Sequence, residues 1–286
     1  MKIKLVADSS ANIKTLDNAL YSTSAMRIVV GEKEFVDDEN VDVAAMQEAL
    51  REYKGKTSSA CPGVGEWMDS FEDADEVFGV TITSKLSGSY NAAVIAAQQY
   101  MEENPGKKAY IQDSLSTGPE MQLILEKMAE LTAVEHDFDD VCKQIADYKE
   151  NCSRLIFCLS SVSNLAKNGR VNPALAKVIG VLGIRIVGIA DEGVLNPQHK
   201  CRGEKKALSQ IFDTMHEMNY KGGKVRISHS DNIDAANSLF DAIKTAWPEA
   251  DVQIVPNGAL CSYYAEVGGL IIGFEGKFNE ANHTKM

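Results

Sequence analysis

Small hydroxyls gather at four places in the chain: Ser9-Ser10, Thr57-Ser58-Ser59, the stretch Thr83, Ser84, Ser87, Ser89 and Tyr90 around Gly88, and Ser114 to Thr117. Hydroxyls at this density can attack a carbonyl, grip an anion or cap helices. Attack needs a base, and the sequence offers none beside them. There is no G-x-S-x-G elbow, and the histidines at 136, 199, 216, 229 and 283 are remote in sequence from every cluster. Neither G-x-x-x-x-G-K-[ST] nor G-x-G-x-x-G occurs, so no phosphate-cradling loop is expected. Hydroxyls without a base read as binding groups. A plain N-cap is the competing account of Ser87, Gly88 and Ser89, since Ser and Gly both suit that position.

Metal and redox chemistry have no support either. The six cysteines, at 61, 142, 152, 158, 201 and 261, form no C-x-x-C pair, and the histidines lack ligand spacing. No metal and no cofactor is expected. Cys158 in "LIFCLS" reads as a small core hydrophobe.

Repeated alternation of strands and helices would position these hydroxyls. "IKLVA" reads as a first strand, "RIVVGEKEFV" as a hairpin around Gly31 and "DVAAMQEALREY" as a helix. A loop "KGKTSSACPG", a helix at 64–72 and the strand "EVFGVTI" follow, then a helix to about Met101, the strand "KKAYIQD", and helices over 116–133 and 138–151. That order implies βαβ units and a mainly parallel sheet, in which ligands collect at loops leaving the carboxyl ends of strands. Ser9-Ser10, Ser84–Ser89 and Ser114–Thr117 fall at such ends. From "SRLIFCLSS" onward the strands lengthen, with a hairpin over 179–195, strands at 224–230 and 251–256 around a helix at 233–246, and a last apolar strand at 268–276. The fold class expected is α/β in two domains, 1–152 with a mainly parallel sheet flanked by helices and 153–286 with a mixed sheet and helices.

The chain has 286 residues, 44% of them hydrophobic, and a formal net charge of −12. That charge opposes nucleic acid or an anionic membrane surface as partner. No apolar run reaches the 18 to 20 residues or so of a membrane span, and "MKIKLVADSS" reads as a strand rather than a signal peptide. A cytoplasmic location follows as the expectation.

The strings "VADSSANI", "TSSACPG", "TSKLSGSYNAA", "NLAKNGRVNPA" and "HKCRGEKKAL", in this order, resemble the motifs of the DegV family of bacterial fatty-acid-binding proteins. The resemblance spans about residues 3 to 276. It implies two α/β domains with an acyl chain in a tunnel between them, and a long-chain fatty acid as ligand. By motif, Thr57 and Ser58 match one pair of carboxylate-binding hydroxyls, and Ser87 with Gly88 the other. The tail would lie along "LIFCL", "VIGVLGIRIV" and "LIIGF", each buried CH₂ contributing about 0.8 kcal/mol. Arg202 falls on the arginine where a fatty acid kinase docks, with Glu204 standing where a basic residue is common. Arg170 matches an arginine whose expected role is to tie a loop across the domain junction. The protein would be a carrier and not an enzyme. One departure stands out: Cys261 replaces the family's late histidine and Tyr263-Tyr264-Ala265 its Gly-Pro-Gly. A thiol cannot replace imidazole as a proton partner near neutral pH. Ser262 or a tyrosine hydroxyl is the substitute donor. The alternatives are a relative retuned for another lipid, and an acyl hydrolase or transferase using Ser87.

Overall fold

The computed structural model describes residues 1–172 and 183–278. The first sheet contains β1 (Ile3–Asp8), β2 (Tyr21–Ser24), β6 (Glu76–Thr81) and β7 (Lys108–Asp113), in the order β2-β1-β6-β7 and parallel throughout. Every residue of β6 is buried, as expected for a central parallel strand covered on both faces. On one face lie α2 (Val64–Phe71) and α3 (Ser89–Glu103), whose Trp67, Phe71, Ala93, Ala96 and Tyr100 pack on Val6 and Val77. On the other lie α4 (Pro119–Thr132) and α5 (Phe138–Cys152), with Met121, Leu125 and Ile145 against Leu5 and Phe78.

A small antiparallel sheet joins β3 (Arg27–Val30), β4 (Lys33–Val36) and β5 (Thr57–Ala60) in the order β4-β3-β5. The hairpin around Gly31 is as the sequence predicts. The expected loop at Thr57–Ala60 is instead a strand. "TSSA" has no bulky alternation to announce it, and the ladder to β3, with Val29 opposite Ser58, imposes the extended form. α1 (Val43–Glu52) packs under this sheet through Met46 and Ala49.

The third sheet is mixed, ordered β10-β9-β8-β13-β11-β12, from β8 (Ser153–Leu159), β9 (Ile184–Asp191), β10 (Val194–Arg202), β11 (Lys224–His229), β12 (Asp251–Pro256) and β13 (Leu270–Glu275). Only β11 and β12 pair in parallel among its described ladders. Alternation along β8 divides its side chains. Ile156 and Cys158 join a core with α7 (Glu204–Glu217) and α8 (Ile233–Ala246), while Leu155, Phe157 and Leu159 face the opposite way.

α4 lies between the first and third sheets and is buried from Pro119 to Leu125. Gly273 on β13 makes this approach possible: a Cβ there would stand 2.6 Å from the backbone of Pro119 and Glu120. The helix starts at Pro119 rather than at 116, because Ser114 to Gly118 form the loop that carries its hydroxyls. Two short helices, α6 (Ser163–Lys167) and α9 (Ala259–Ala265), and a 3-10 turn at Ser9–Ala11 complete the described elements. Sequence patterning missed β2, α6 and α9, and gave no extent for α7. The part of the expected hairpin and tail wall at 178–182, and Pro173-Ala174 of the fourth motif, lie outside the described residues. No helix among the described residues is long and apolar enough to cross a membrane.

Candidate functional site

The carboxyl ends of β6 and β7 face the third sheet across a cavity of about 340 Å³, within the size range usual for small-molecule sites, whereas Ser9-Ser10 after β1 lies outside its wall, bonded to Asp37 and Asp8. Its floor is the inner face of the third sheet: Leu155, Phe157 and Leu159 from β8, Ala190 and Leu195 from the β9–β10 hairpin, and Ile271 from β13. Ile82, Leu86, Leu115 and Met26 close it from the side of the first sheet. The described wall has few polar groups: Ser59, Thr83, Ser87, Ser116, Thr117 and Tyr264, with the thiols of Cys61 and Cys261 and one charge, Arg170.

Most hydroxyls of the Thr83–Tyr90 stretch are committed to holding the loop. Thr83 donates to the Gly193 carbonyl at 2.9 Å, fastening the tip of the β9–β10 hairpin. Ser89 donates to Asp8 at 2.6 Å. Ser87 accepts from the Ser89 amide at 3.2 Å and borders the cavity together with Gly88, the N-cap of α3. Capping and cavity lining therefore coincide at Ser87. A Cβ on Gly88 would stand 3.4 Å from the Cys61 sulfur, so this corner is closely built. First-turn amides of a helix lack intrahelical acceptors, which makes the start of α3 suited to a carboxylate.

Asp8 is the buried post under this corner. It accepts from the Ile82 amide at 2.9 Å, the Ser10 amide at 3.2 Å, the Ser10 hydroxyl and Ser89. Burial pushes its carboxyl above the ordinary value of 3.8, against those hydrogen bonds. The folded state thus holds the proton longer than the unfolded chain does. Its contribution is fullest below the unfolded pKa and declines as pH rises toward the folded one. The stability gap between wild type and Asp8→Asn should be widest near pH 4 and narrow toward pH 7.5 in urea unfolding. A gap that widens with pH contradicts this assignment.

The hydroxyls of β5 divide by alternation. Thr57 and Ser59 share one side: Thr57 is 2.7 Å from the Tyr263 hydroxyl, and Ser59 is 2.7 Å from the Tyr264 hydroxyl. Ser59 and Tyr264 line the cavity, whereas Thr57 is buried behind it, and neither Thr57 nor Ser58 is in its wall. Ser58 points to the other side of the small sheet. Ser262 borders a separate open depression, with Asn12, Asp37 and Asn257, and donates to the Asn257 carbonyl at 3.3 Å. Of the residues singled out from sequence as ligand contacts, Ser87 and Gly88 reach the cavity. Ser59 and Thr117 were not among them, although both sit in hydroxyl clusters visible in the sequence, and of the alternatives offered in the late segment the tyrosine hydroxyl of Tyr264, not Ser262, is the one in the wall.

Cys261, which the motif resemblance sets where the family has a histidine, is a neutral thiol. It donates to the Ser10 carbonyl at 3.4 Å, and burial pushes its pKa up to about 12. Arg170 donates through Nε to the Leu86 carbonyl at 3.3 Å and stands 5.9 Å over the Tyr264 ring. It ties the loop before α3 to the segment after α6, as expected. Arg202 is exposed at the end of β10. Glu204 nearby is paired with Arg185 at 2.7 Å and so does not oppose Arg202 directly.

The family model described as an uncharacterised protein, DegV family, matches residues 2–277. A DegV domain-containing protein of Streptococcus gordonii is 36% identical over 280 residues, covering 96% of this chain and 99% of its own. Among solved structures, the Streptococcus pneumoniae fatty acid kinase (Fak) B3 protein loaded with linoleic acid superposes with a TM-score of 0.94 at 36% identity, over 96% of this chain and 99% of its own. A DegV family protein from Eubacterium eligens loaded with heptadecanoic acid gives 0.93 at 40% identity, over 96% and 100%. With the parallel sheet, the mixed sheet and the cavity between them in place, this chain belongs to the DegV family.

Proposed function

We propose that the protein is a non-catalytic carrier of a long-chain fatty acid. The observation that carries the reading is the cavity itself: an apolar floor of Leu, Phe and Ile leading to a hydroxyl corner at the start of a 15-residue helix. Relatives that share the fold at 36% and 40% identity are loaded with linoleic and heptadecanoic acid. The carboxylate sits at Ser87 and the first-turn amides of α3, with Ser59 and Tyr264 as the second donor pair. Tyr264, rather than Ser262, serves as the late-segment donor because it is the one that lines the cavity. Thr57 acts from behind, holding Tyr263. The head group fixes register, and the buried tail supplies most of the affinity.

A serine hydrolase is disfavoured because the described wall contains no histidine or lysine to take the Ser87 proton. The kinship to a protein of a fatty acid kinase system supports hand-over to such a kinase, with exposed Arg202 in the docking surface, and a cytoplasmic setting. The test is native mass spectrometry of the purified protein, followed by loading of Ser87→Ala and Tyr264→Phe. Wild type should carry a fatty acid. Hydrogen bonds to a charged group contribute about 1.5–3 kcal/mol, so each variant should bind about tenfold or more weakly. Arg202→Ala should load normally and fail only in hand-over. A protein that stays empty when offered acids of 14 to 18 carbons refutes the carrier reading.

A further inference from the structure

Phe157 lies in the middle of the cavity floor, opposite Ile271 on one side and Gly188 on the other. The tip of its ring occupies the place a side chain at 188 would need. A Cβ on Gly188 would stand 2.4 Å from Cζ and 2.9 Å from Cε2 of Phe157. Leu155 and Leu159 flank the ring along β8, and Phe157 is only 4% exposed. The ring is therefore seated over a gap in the neighbouring strand that glycine alone leaves open.

Resting on the fatty acid reading, we infer that the Phe157–Gly188 pair sets the length of acyl chain that the cavity accepts. A flat ring over glycine fixes the depth of the floor and with it the volume left for the tail, because close-packed walls do not yield by a methylene without cost. Its sheet neighbours hold it on three sides, so a group added at 188 displaces the ring into the cavity and shortens it. A smaller side chain at 157 frees the space over Gly188 and lengthens it. Length selection then resides in a residue pair across two strands of the floor.

The test ranks the affinities of saturated acids of 12 to 20 carbons for wild type, Phe157→Leu and Gly188→Ala, with thermal melts to verify folding. Phe157→Leu should move the optimum one or two carbons longer, with a relative gain of about fourfold per added methylene. Gly188→Ala should move it shorter, and Gly188→Ala/Phe157→Leu should return it toward wild type. Because a Cβ at 188 also meets the Asn196 carbonyl at 2.4 Å, the Phe157 variants decide the matter should Gly188→Ala fail to fold. Phe157→Met, closer in volume, replaces Phe157→Leu on the same ground. An unchanged ranking in a folded Phe157 variant overturns this inference and leaves the carrier reading standing. Absence of acid binding by wild type overturns both.

Discussion

Arg226→Ala should lower the unfolding free energy by about 3 kcal/mol or more, because it strands a carboxylate between α4 and the third sheet. The Arg226 side chain is 2% exposed and donates to both oxygens of Glu126, at 2.7 and 2.8 Å. It also donates to Asp251 at 2.8 Å and to the Asp251 carbonyl at 3.0 Å. Glu126, 16% exposed, would keep Lys224 at 3.5 Å and Gln122 at 3.1 Å, which places the expected cost at the low end for a broken buried pair. Replacing both partners tests the cause. Arg226→Met with Glu126→Leu should recover most of the loss, since apolar residues of similar volume remove the stranded charge. Urea unfolding of the two variants checks this. A cost under about 1 kcal/mol for Arg226→Ala would show that packing around Met121 and Leu123 holds α4 unaided.

Much of this arrangement was legible from local pattern. β1, β6 and β7 are short apolar runs, and the hydroxyl-rich exits of β6 and β7 border the cavity as a parallel sheet's carboxyl ends would, while Ser9-Ser10 after β1 serves internal hydrogen bonds instead. The loop Ser84–Ser89 could be placed at a ligand site because it leaves a parallel strand, and the motif resemblance narrowed it to Ser87 and Gly88. Thr57, Ser58 and Ser59 could not be ranked in the same way. Which of them faces inward depends on whether the segment is a strand, and its ladder to β3 is not written in "TSSA". The Ser59–Tyr264 contact joins residues 205 apart in sequence, so no local rule finds it. Ser262 and Tyr264 pose a related problem. Two residues apart on a helix lie on roughly opposite faces, but "ALCSYYA" is buried almost all round and shows no polar stripe to orient it. The floor was easier to locate than to orient: "LIFCL" is evidently buried, yet only the pairing of β8 with β9 and β13 shows that Leu155, Phe157 and Leu159 face the ligand.

The same helix gives the other large expected effect. α9 has seven residues, too few to hold a helical form alone, and it brings Leu260, Cys261, Tyr264 and Ala265 to the cavity wall. Asp37, at the end of β4, clamps its start. Its carboxylate accepts from the Ala259 amide at 2.7 Å and the Leu260 amide at 3.0 Å, and from Ser9 at 2.9 Å. Asp37 is only 5% exposed, so its removal leaves three donors where water has poor access. Asp37→Ala should therefore cost about 3 kcal/mol of stability. It should also weaken fatty acid binding at least tenfold at a temperature where the variant remains folded, because Tyr264 loses its fixed position beside Ser59. Asp37→Asn keeps one acceptor and should fall between the two. Binding and unfolding measured on the same samples separate the effects. If Asp37→Ala matched wild type in both, Leu260 and Tyr263 in the core would suffice to seat the helix. If only stability fell, Tyr264 would be held by Ser59 and Arg170 rather than by the position of α9.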